Sequence, residues 1–485
     1  MRYLSADSRT ETNLKYLPQG GEPQEFTLAE LNRWIDGYAS LLYASGVRKG
    51  DRVCLYLPNS PQLIVSLFGN HLLGAITVPV NPGATAKELA YVVQTAQVSA
   101  LISEADLETP LRLHLHPQEF WEALRPAVGD FPENEDPAAP ALLCFTSGTT
   151  ARPKGVVLTH ANLRSNLRDL IQVWGWAPSD QLLLALPLFH VHGLGVGLHG
   201  WALTGCGATV LEKFEPLKVL ELLTQREPTL FMGVPTMYRR LLEAFEPKRH
   251  RIELRLAITG SAPMSRELHR ACRRIFGQTL LERYGMTETI MNTSNPSTGE
   301  RRPGSVGQPL PSVEIRLRDD QRREIKGAHQ PGEVWVRGPN VFAEYWRDPQ
   351  TTQQAFIDGW FRTGDLGYWD KDGYLFLQGR SSVDLIKSAG YRIGAREIEE
   401  VLEHHPALRE AAVVGLPDDD LGERLTACVV AHQPVEENEI MVHCRKFLAP
   451  YKCPRQIVFL EALPKNALGK VTKNQLKTSL VNRAS

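Results

Sequence analysis

Apolar positions recur along the chain in two rhythms. Thr27-Leu28-Ala29-Glu30 fits a capping box, after which Leu28, Leu31, Ile35, Tyr38 and Leu42 fall at helical spacing and Gly46 supplies a stop. A short apolar run at 53–57 follows the turn Gly50-Asp51; a helix-length segment at 61–73 and a second run at 75–80 come next. That order predicts a β-α-β unit. Similar runs recur at 100–102, 141–145, 182–186, 208–211, 230–234 and 254–258, most of them separated by helical lengths. The alternation predicts mostly parallel sheets covered by helices, with ligands at the carboxyl ends of strands.

The texture changes after about Gly307. Runs at 313–317 and 333–336, split by turns at Asp319-Asp320 and Pro331-Gly332, predict short antiparallel strands. Beyond Arg380 a small module is expected, with a helix at 395–404 stopped by Pro406 and strands near 411–414 and 426–430. The fold class is therefore α/β: a large N-terminal domain (1–380) of helix-covered, mostly parallel sheets plus a β-rich subdomain, and a small α+β C-terminal domain (381–485). A chain of 485 residues suits such a division, since single cores rarely exceed roughly 300 residues.

Composition narrows the function. With 42% hydrophobic and 22% charged residues the chain is ordinary for a globular protein, and 54 Lys+Arg against 55 Asp+Glu offer no bulk charge for nucleic acid. Seven scattered cysteines without a C-x-x-C pair suggest neither a disulfide framework nor a zinc cluster, and point to a reducing, cytoplasmic protein. The first eleven residues are polar and carry Asp7 and Glu11, unlike a signal or transit peptide. The longest apolar stretch, 182–203, holds Pro187, three histidines and four glycines, which argues against a membrane span.

Five segments carry candidate chemistry. Thr146-Ser147-Gly148-Thr149-Thr150-Ala151-Arg152-Pro153-Lys154-Gly155 follows a buried-looking strand and combines glycine, four hydroxyls and a lysine, a composition that cradles phosphate. Read alone, it equally suits an exposed turn. Tyr284-Gly285-Met286-Thr287-Glu288 places a carboxylate near a strand end, where it could hold Mg²⁺ or be simply an acid at a helix N-terminus. In 360–367, Asp365 can accept from two ribose hydroxyls, although the segment alone could be a hairpin turn. Gly379-Arg380 through Lys387-Ser388-Ala389-Gly390 spans the domain junction, and 464–470 presents Lys470 on a glycine-hinged loop.

In this order, the five segments resemble the signatures of the adenylate-forming superfamily, which includes acyl-CoA synthetases, luciferases and peptide-synthetase adenylation domains. The resemblance runs from the Thr27 helix to Lys470. It implies a mobile C-terminal lid and two half-reactions: a carboxylate attacks the α-phosphate of MgATP, then the thiol of CoA displaces AMP. By the same resemblance, Thr146, Ser147, Gly148, Thr149, Thr150 and Lys154 would hold phosphates, and Tyr284, Gly285, Met286 and Thr287 would flank the adenylate. Glu288 and Thr146 would serve the metal, Asp365 and Arg380 the ribose, and His190 would stand beside the reacting carboxylate. Lys470 would bridge carboxylate and α-phosphate; Ser388, Ala389 and Gly390 would meet CoA; the hinge would be Ser382 or Val383. Two departures stand out: Ala151 occupies a usual glycine position, and the junction is one residue longer between Arg380 and Lys387.

The acid is also addressed. Arg283 precedes Tyr284, Gly260-Ser261-Ala262 replaces a pattern richer in glycine, Tyr238-Arg239-Arg240 follows 233–237, and His192 follows Phe189-His190-Val191. The set resembles malonyl-CoA and methylmalonyl-CoA synthetases. Arg283 suits a second carboxylate, with Ser261, His192 and Arg240 in support, unless Arg283 pairs with Glu282 or a neighbouring acid, and Arg240 with Glu243 on its own helix. The expected partners are a carboxylic or dicarboxylic acid, ATP, Mg²⁺ and CoA, for a monomer or small homo-oligomer. A medium- or long-chain fatty acyl-CoA synthetase is the alternative, and a non-catalytic binding protein on the same fold a remote one. Gly195 to Gly200 spells G-x-G-x-x-G, but Pro187, His190 and His192 intervene after the strand, so helix packing is its expected role.

Overall fold

The computed structural model describes residues 3–4, 12–105, 110–124, 130–146, 153–380, 384–388, 391–418, 421–466 and 470–484. Ser147, Gly148, Thr149, Thr150, Ala151, Ser382, Val383, Ala389 and Gly390 lie outside the described residues.

Local signals act as read. Thr27 caps helix Leu28–Ala44 and exchanges bonds with Glu30, and the predicted apolar face is buried. Ser60 starts helix Pro61–Leu73, and Gly74, at φ +80°, ends it. Two sheets form the body of the large lobe. In the nine-stranded sheet, Thr12–Leu17, Gly207–Leu211, Gln181–Leu184, Leu230–Gly233, Leu256–Thr259 and Leu281–Tyr284 run parallel in that spatial order. In the seven-stranded sheet, Pro140–Thr146, Ile76–Pro79, Arg52–Tyr56, Ala100–Ser103 and Leu113–Leu115 are parallel, and Lys154–Thr159 returns antiparallel along Pro140–Thr146. One core joins both sheets, from Leu14 and Leu55 through Leu142 and Leu183 to Leu375.

A six-stranded antiparallel sheet includes Glu314–Arg318, Gly332–Arg337, Trp360–Trp369 and Leu375–Arg380. The small lobe has its own five-stranded sheet, with Leu408–Asp418 against Gly422–Ala431 and helix Ala395–Glu403 on it. Its two apolar clusters contain only residues from Ile386 onward. Segment 360–367, which alone suits a hairpin turn, is the body of a ten-residue strand. The hairpin Thr12–Leu17 with Gln24–Thr27 was not foreseen, because alternating Lys15 and Glu25 hide its single buried face. The glycines of 195–200 are helical: a Cβ on Gly200 would lie 2.3 Å from the Trp176 ring, and one on Gly197 2.8 Å from Leu184. Among the described residues no helix is long and apolar enough to cross a membrane.

Tyr3 docks on a buried cluster of histidines. Its hydroxyl meets His160 Nδ1 at 2.9 Å, and His71 Nε2 faces His199 Nε2 at 2.9 Å. Burial pulls His160 down to about 3 and His199 to about 4, and holds His71 well below the usual imidazole range. These groups stay neutral in the fold but take protons near pH 6.5 once unfolded, so stability is present above that pH and is lost below it. Between pH 7.5 and 5.5 each is expected to cost about 1 kcal/mol of unfolding free energy. Urea titrations at the two pH values measure this, and an unchanged midpoint would contradict it.

Candidate active site

The parallel strands of the nine-stranded sheet end on a common cavity. Just past the strand ends Leu184, Leu211, Gly233, Thr259 and Tyr284, it is lined by Pro187 and Phe189, by Glu212, by Val234 and Thr236, by Ser261, and by Met286. The seven-stranded sheet adds Asn59 and Pro82, the antiparallel sheet Asp365 and Gly379, and the small lobe Lys465, Lys470 and Lys473. The space measures about 900 Å³. A site at strand carboxyl ends is what open parallel sheets favour.

Tyr284 donates its hydroxyl to Asp365 Oδ2 at 2.5 Å, both residues being buried. Asp365 and Arg380 are Cα partners on neighbouring antiparallel strands. Gly285 cannot carry a side chain, since a Cβ would lie 1.9 Å from the Ile290 carbonyl oxygen. Ile290 takes φ +57°, a strained value for a β-branched residue, and so closes the turn holding Thr287 and Glu288. The Glu288 carboxylate is buried and accepts from Tyr345 Oη at 3.1 Å. Lys154 Nζ stands 5.2 Å from the centroid of the same tyrosine ring. Thr146 ends its strand with Oγ1 3.5 Å from the Lys154 carbonyl. Glu288, Tyr345, Lys154 and Thr146 thus lie together on one side of the site.

Deeper in, Arg283 is fully buried on strand Leu281–Tyr284. Glu282 makes no ion pair with it among the described residues: its carboxylate meets His269 at 2.9 Å, and its charge only partly offsets the effect of burial on Arg283. Among the described residues no carboxylate lies within ion-pair distance of Arg283, and its Nε has no hydrogen-bond partner. Its Nη2 reaches Ser261 Oγ only at 3.4 Å, and that oxygen lies 3.3 Å from His192 Nδ1. Ser261 itself is held at φ +69°. Burial lowers Arg283 to about 9, so it remains cationic at neutral pH. Burial, then Arg283 and Lys470, bring His190 down to about 4, which leaves a neutral imidazole under the influence of two cations. Arg240 is exposed on helix Pro235–Ala244 and lines the cavity, without an ion pair to Glu243 among the described residues.

Lys470 belongs to a loop closed by Asn466 N to Lys470 O at 2.9 Å and Lys470 N to Asn466 Oδ1 at 3.0 Å. Ser388 is buried at the end of strand Leu385–Ser388. Three further residues complete the frame of the site, and of these Asn59 and Tyr345 carry no signal in the sequence. Asn59 donates to the carbonyls of Leu186 and Leu211 at 2.9 and 3.0 Å and accepts from Leu188 N at 2.8 Å, fixing the Pro187–His190 bend. Tyr345 supports Glu288, and Tyr238 donates to Ile258 O at 2.8 Å beneath Arg283. Their partners lie far off in sequence, so no local pattern reveals them.

A cavity at strand ends, closed over by a small lobe that delivers a lysine, defines an adenylate-forming enzyme fold. Residues 6–346 match the AMP-binding enzyme family and residues 397–470 the AMP-binding enzyme C-terminal domain; the chain belongs to this family and is an AMP-forming acid–CoA ligase. It is 35% identical over 491 residues to the malonate–CoA ligase of Arabidopsis thaliana, covering 90% of this chain and 79% of that protein. It is 33% identical to a long-chain-fatty-acid–CoA ligase of Bacillus subtilis, covering 90% and 87%. The crystal structure of ATP-bound MatB from Rhodopseudomonas palustris superposes with a TM-score of 0.90 at 34% identity, covering 99% of this chain and 98% of that one.

Proposed function

We propose that the protein joins malonate, or a small substituted malonate, to CoA: malonate, ATP and CoA give malonyl-CoA, AMP and pyrophosphate. The observation that carries this reading is Arg283, a buried guanidinium facing the cavity with no protein carboxylate at ion-pair distance among the described residues. A buried cation without a partner is costly, and a ligand carboxylate in a planar two-point grip would supply one. Ser261, His192 and Arg240 add donors around it. The malonate–CoA ligase relatives support the same reading.

One carboxylate of the acid is held toward Arg283 and the other toward the nucleotide. Its oxygen attacks the α-phosphorus, the bond to pyrophosphate breaks, and malonyl-adenylate forms. CoA sulfur then attacks the acyl carbon, and AMP leaves. No protein nucleophile takes part, so the chain acts by positioning and charge. Asp365 and Arg380 hold the ribose, Tyr284 through Thr287 flank the adenine and α-phosphate, and Thr146 to Lys154 cradle the outer phosphates. Neutral His190 lets the reacting carboxylate lie between Arg283 and Lys470 without adding a third cation. Lys470 bridges carboxylate and α-phosphate.

Glu288 and Thr146 suit Mg²⁺: a buried carboxylate and a hydroxyl are hard oxygen donors, and Mg²⁺ takes few carboxylates while keeping waters. When bound, the ion neutralises charge developing on pyrophosphate. Residues 381–485 act as a lid that turns near Ser382 or Val383 between half-reactions, bringing Ser388, Ala389 and Gly390 to the pantetheine of CoA. The separate core of the small lobe supports this. Seven buried, unpaired cysteines support a reducing compartment, the cytoplasm.

CoA-dependent AMP release measured over a panel of acids tests the assignment. Malonate is expected to exceed acetate and octanoate; turnover of octanoate with malonate inert would make the protein a fatty acyl-CoA synthetase. A subtler variant probes the grip itself. A Cβ on Gly260 would lie 2.8 Å from Cζ, Nη1 and the carbonyl oxygen of Arg283. Gly260→Ala is therefore expected to lower kcat/KM for malonate about 10-fold or more by shifting the guanidinium, with KM for ATP unchanged. A variant indistinguishable from the native chain would remove Arg283 from the acid site.

A further inference from the structure

The loop that carries Lys470 is pinned at both stems by lysines that the mechanism above does not use. At the first stem, Lys465 Nζ meets the Glu410 carboxylate at 2.7 Å. At the second, half-buried Lys473 Nζ contacts both Asp384 Oδ1 and Glu399 Oε1, the latter at 2.6 Å. Between them, Thr472 N bonds Pro464 O at 2.8 Å and closes the base of the loop.

The two carboxylates around Lys473 differ in what they touch. Glu399 is internal to the small lobe: it sits on helix Ala395–Glu403 and accepts from Val413 N at 2.8 Å. Asp384 lies at the junction, just beyond 381–383. It packs on Gly379 of strand Leu375–Arg380, where a Cβ would lie 2.4 Å from the Asp384 Cβ, and its carbonyl accepts from Ala395 N at 2.8 Å. Asp384 is thus wedged between the last strand before the junction and the lysine three residues beyond Lys470.

We propose that Lys473, gripping Asp384 and Glu399, is a positioning residue that ties the Lys470 loop to the interlobe junction and holds Lys470 in the cavity for adenylation. The proposal rests on the role given to Lys470 above, but not on which acid is used. Glu399 anchors Lys473 at the start of helix Lys473–Ala484 within the small lobe, and Asp384 registers that anchor against the large lobe. Thioester formation does not use Lys470, so it does not need the tie.

Two assays separate the half-reactions: acid-dependent exchange of pyrophosphate into ATP, and CoA thioester formation from supplied acyl-adenylate. Both use the full-length protein and whichever acid the native chain activates. Asp384→Ala is the cleaner variant, because it leaves Lys473 and Glu399 as a balanced pair. It is expected to lower exchange by about 10- to 100-fold, as an ångström-scale misplacement does, and to keep thioester formation within about threefold of native. Lys473→Met should shift exchange the same way, and Lys473→Arg should restore it. Lys473→Met takes the lysine from buried Glu399 and half-buried Asp384; if it fails to fold, Asp384→Ala and Lys473→Arg still decide. Equal losses in both half-reactions, or full exchange activity in Asp384→Ala, would overturn the proposal. Lys470→Ala runs alongside: normal exchange in that variant would remove the role of Lys470 itself. A native chain that exchanges with an acid other than malonate would alter the substrate assignment while leaving the tie under test.

Discussion

Lys470→Ala is expected to depress adenylation by about two to three orders of magnitude, the usual cost of removing one preorganised donor from a developing charge. The expectation follows from where the lysine sits. It enters the cavity from the small lobe, together with Arg283, Tyr284 and Asp365 from the large one, and its charge is felt by His190. Adenylation brings a carboxylate against a polyphosphate, so a cation at the meeting point lowers the barrier most as the oxygen and phosphorus close. Thioester formation begins after pyrophosphate has gone, and there the same cation has no such task. Stopped-flow release of pyrophosphate measures the first step, and consumption of supplied malonyl-adenylate by CoA measures the second. Collapse of both to the same degree would make Lys470 a structural residue.

Much of this site was legible because its parts are local. The capping box at Thr27, the 61–73 helix and the apolar runs encode elements through nearest-neighbour periodicity, and the structure bounds them within a few residues of the reading. Tyr284 through Glu288 and Asp365 are short motifs, and a motif survives being read without its fold. What stayed hidden is what the fold assembles across distance. Asn59 fixes the His190 bend through Leu186, Leu188 and Leu211, more than a hundred residues away. The strand through Asp365 was ambiguous because Gly364 and Gly367 suit a turn as well as a sheet, and only pairing with Gly332–Arg337 and Leu375–Arg380 decides.

The partner of Arg283 is the instructive case. Adjacent Glu282 and Arg283 read as an ion pair when written in a line. On a strand, successive side chains point to opposite faces, so two neighbours cannot meet. On strand Leu281–Tyr284 the Glu282 carboxylate is taken by His269, while the Arg283 guanidinium has no carboxylate at ion-pair distance among the described residues. Recognising 281–284 as a strand would have settled the pairing from sequence alone.

Replacing Arg283 is expected to abolish malonate turnover while stabilising the fold. In Arg283→Met the apolar stem is kept and the charged fork is lost. A site built around a polar group rejects ligands by about 10⁴-fold when that interaction is missing, so kcat/KM for malonate should fall by roughly that factor. Binding of ATP should persist, since Asp365, Tyr284 and Lys154 are untouched. The consequence for stability runs the other way. Burial holds Arg283 near 9, far below an ordinary guanidinium, so its charged form is disfavoured in the fold at every pH below that value. Relief would come only as pH rises through 9, beyond any working range. Replacing the cation by an apolar side chain of similar length removes that cost, and by analogy with buried ion pairs swapped for hydrophobic residues the gain should be about 1–4 kcal/mol. Arg283→Met should therefore melt at or above the temperature of the native protein while losing malonate turnover. Malonate should raise the melting temperature of the native chain and leave the variant unmoved, because only the native fold binds it. A variant that melts lower and still prefers malonate would show that Arg283 holds the fold and that another group reads the acid.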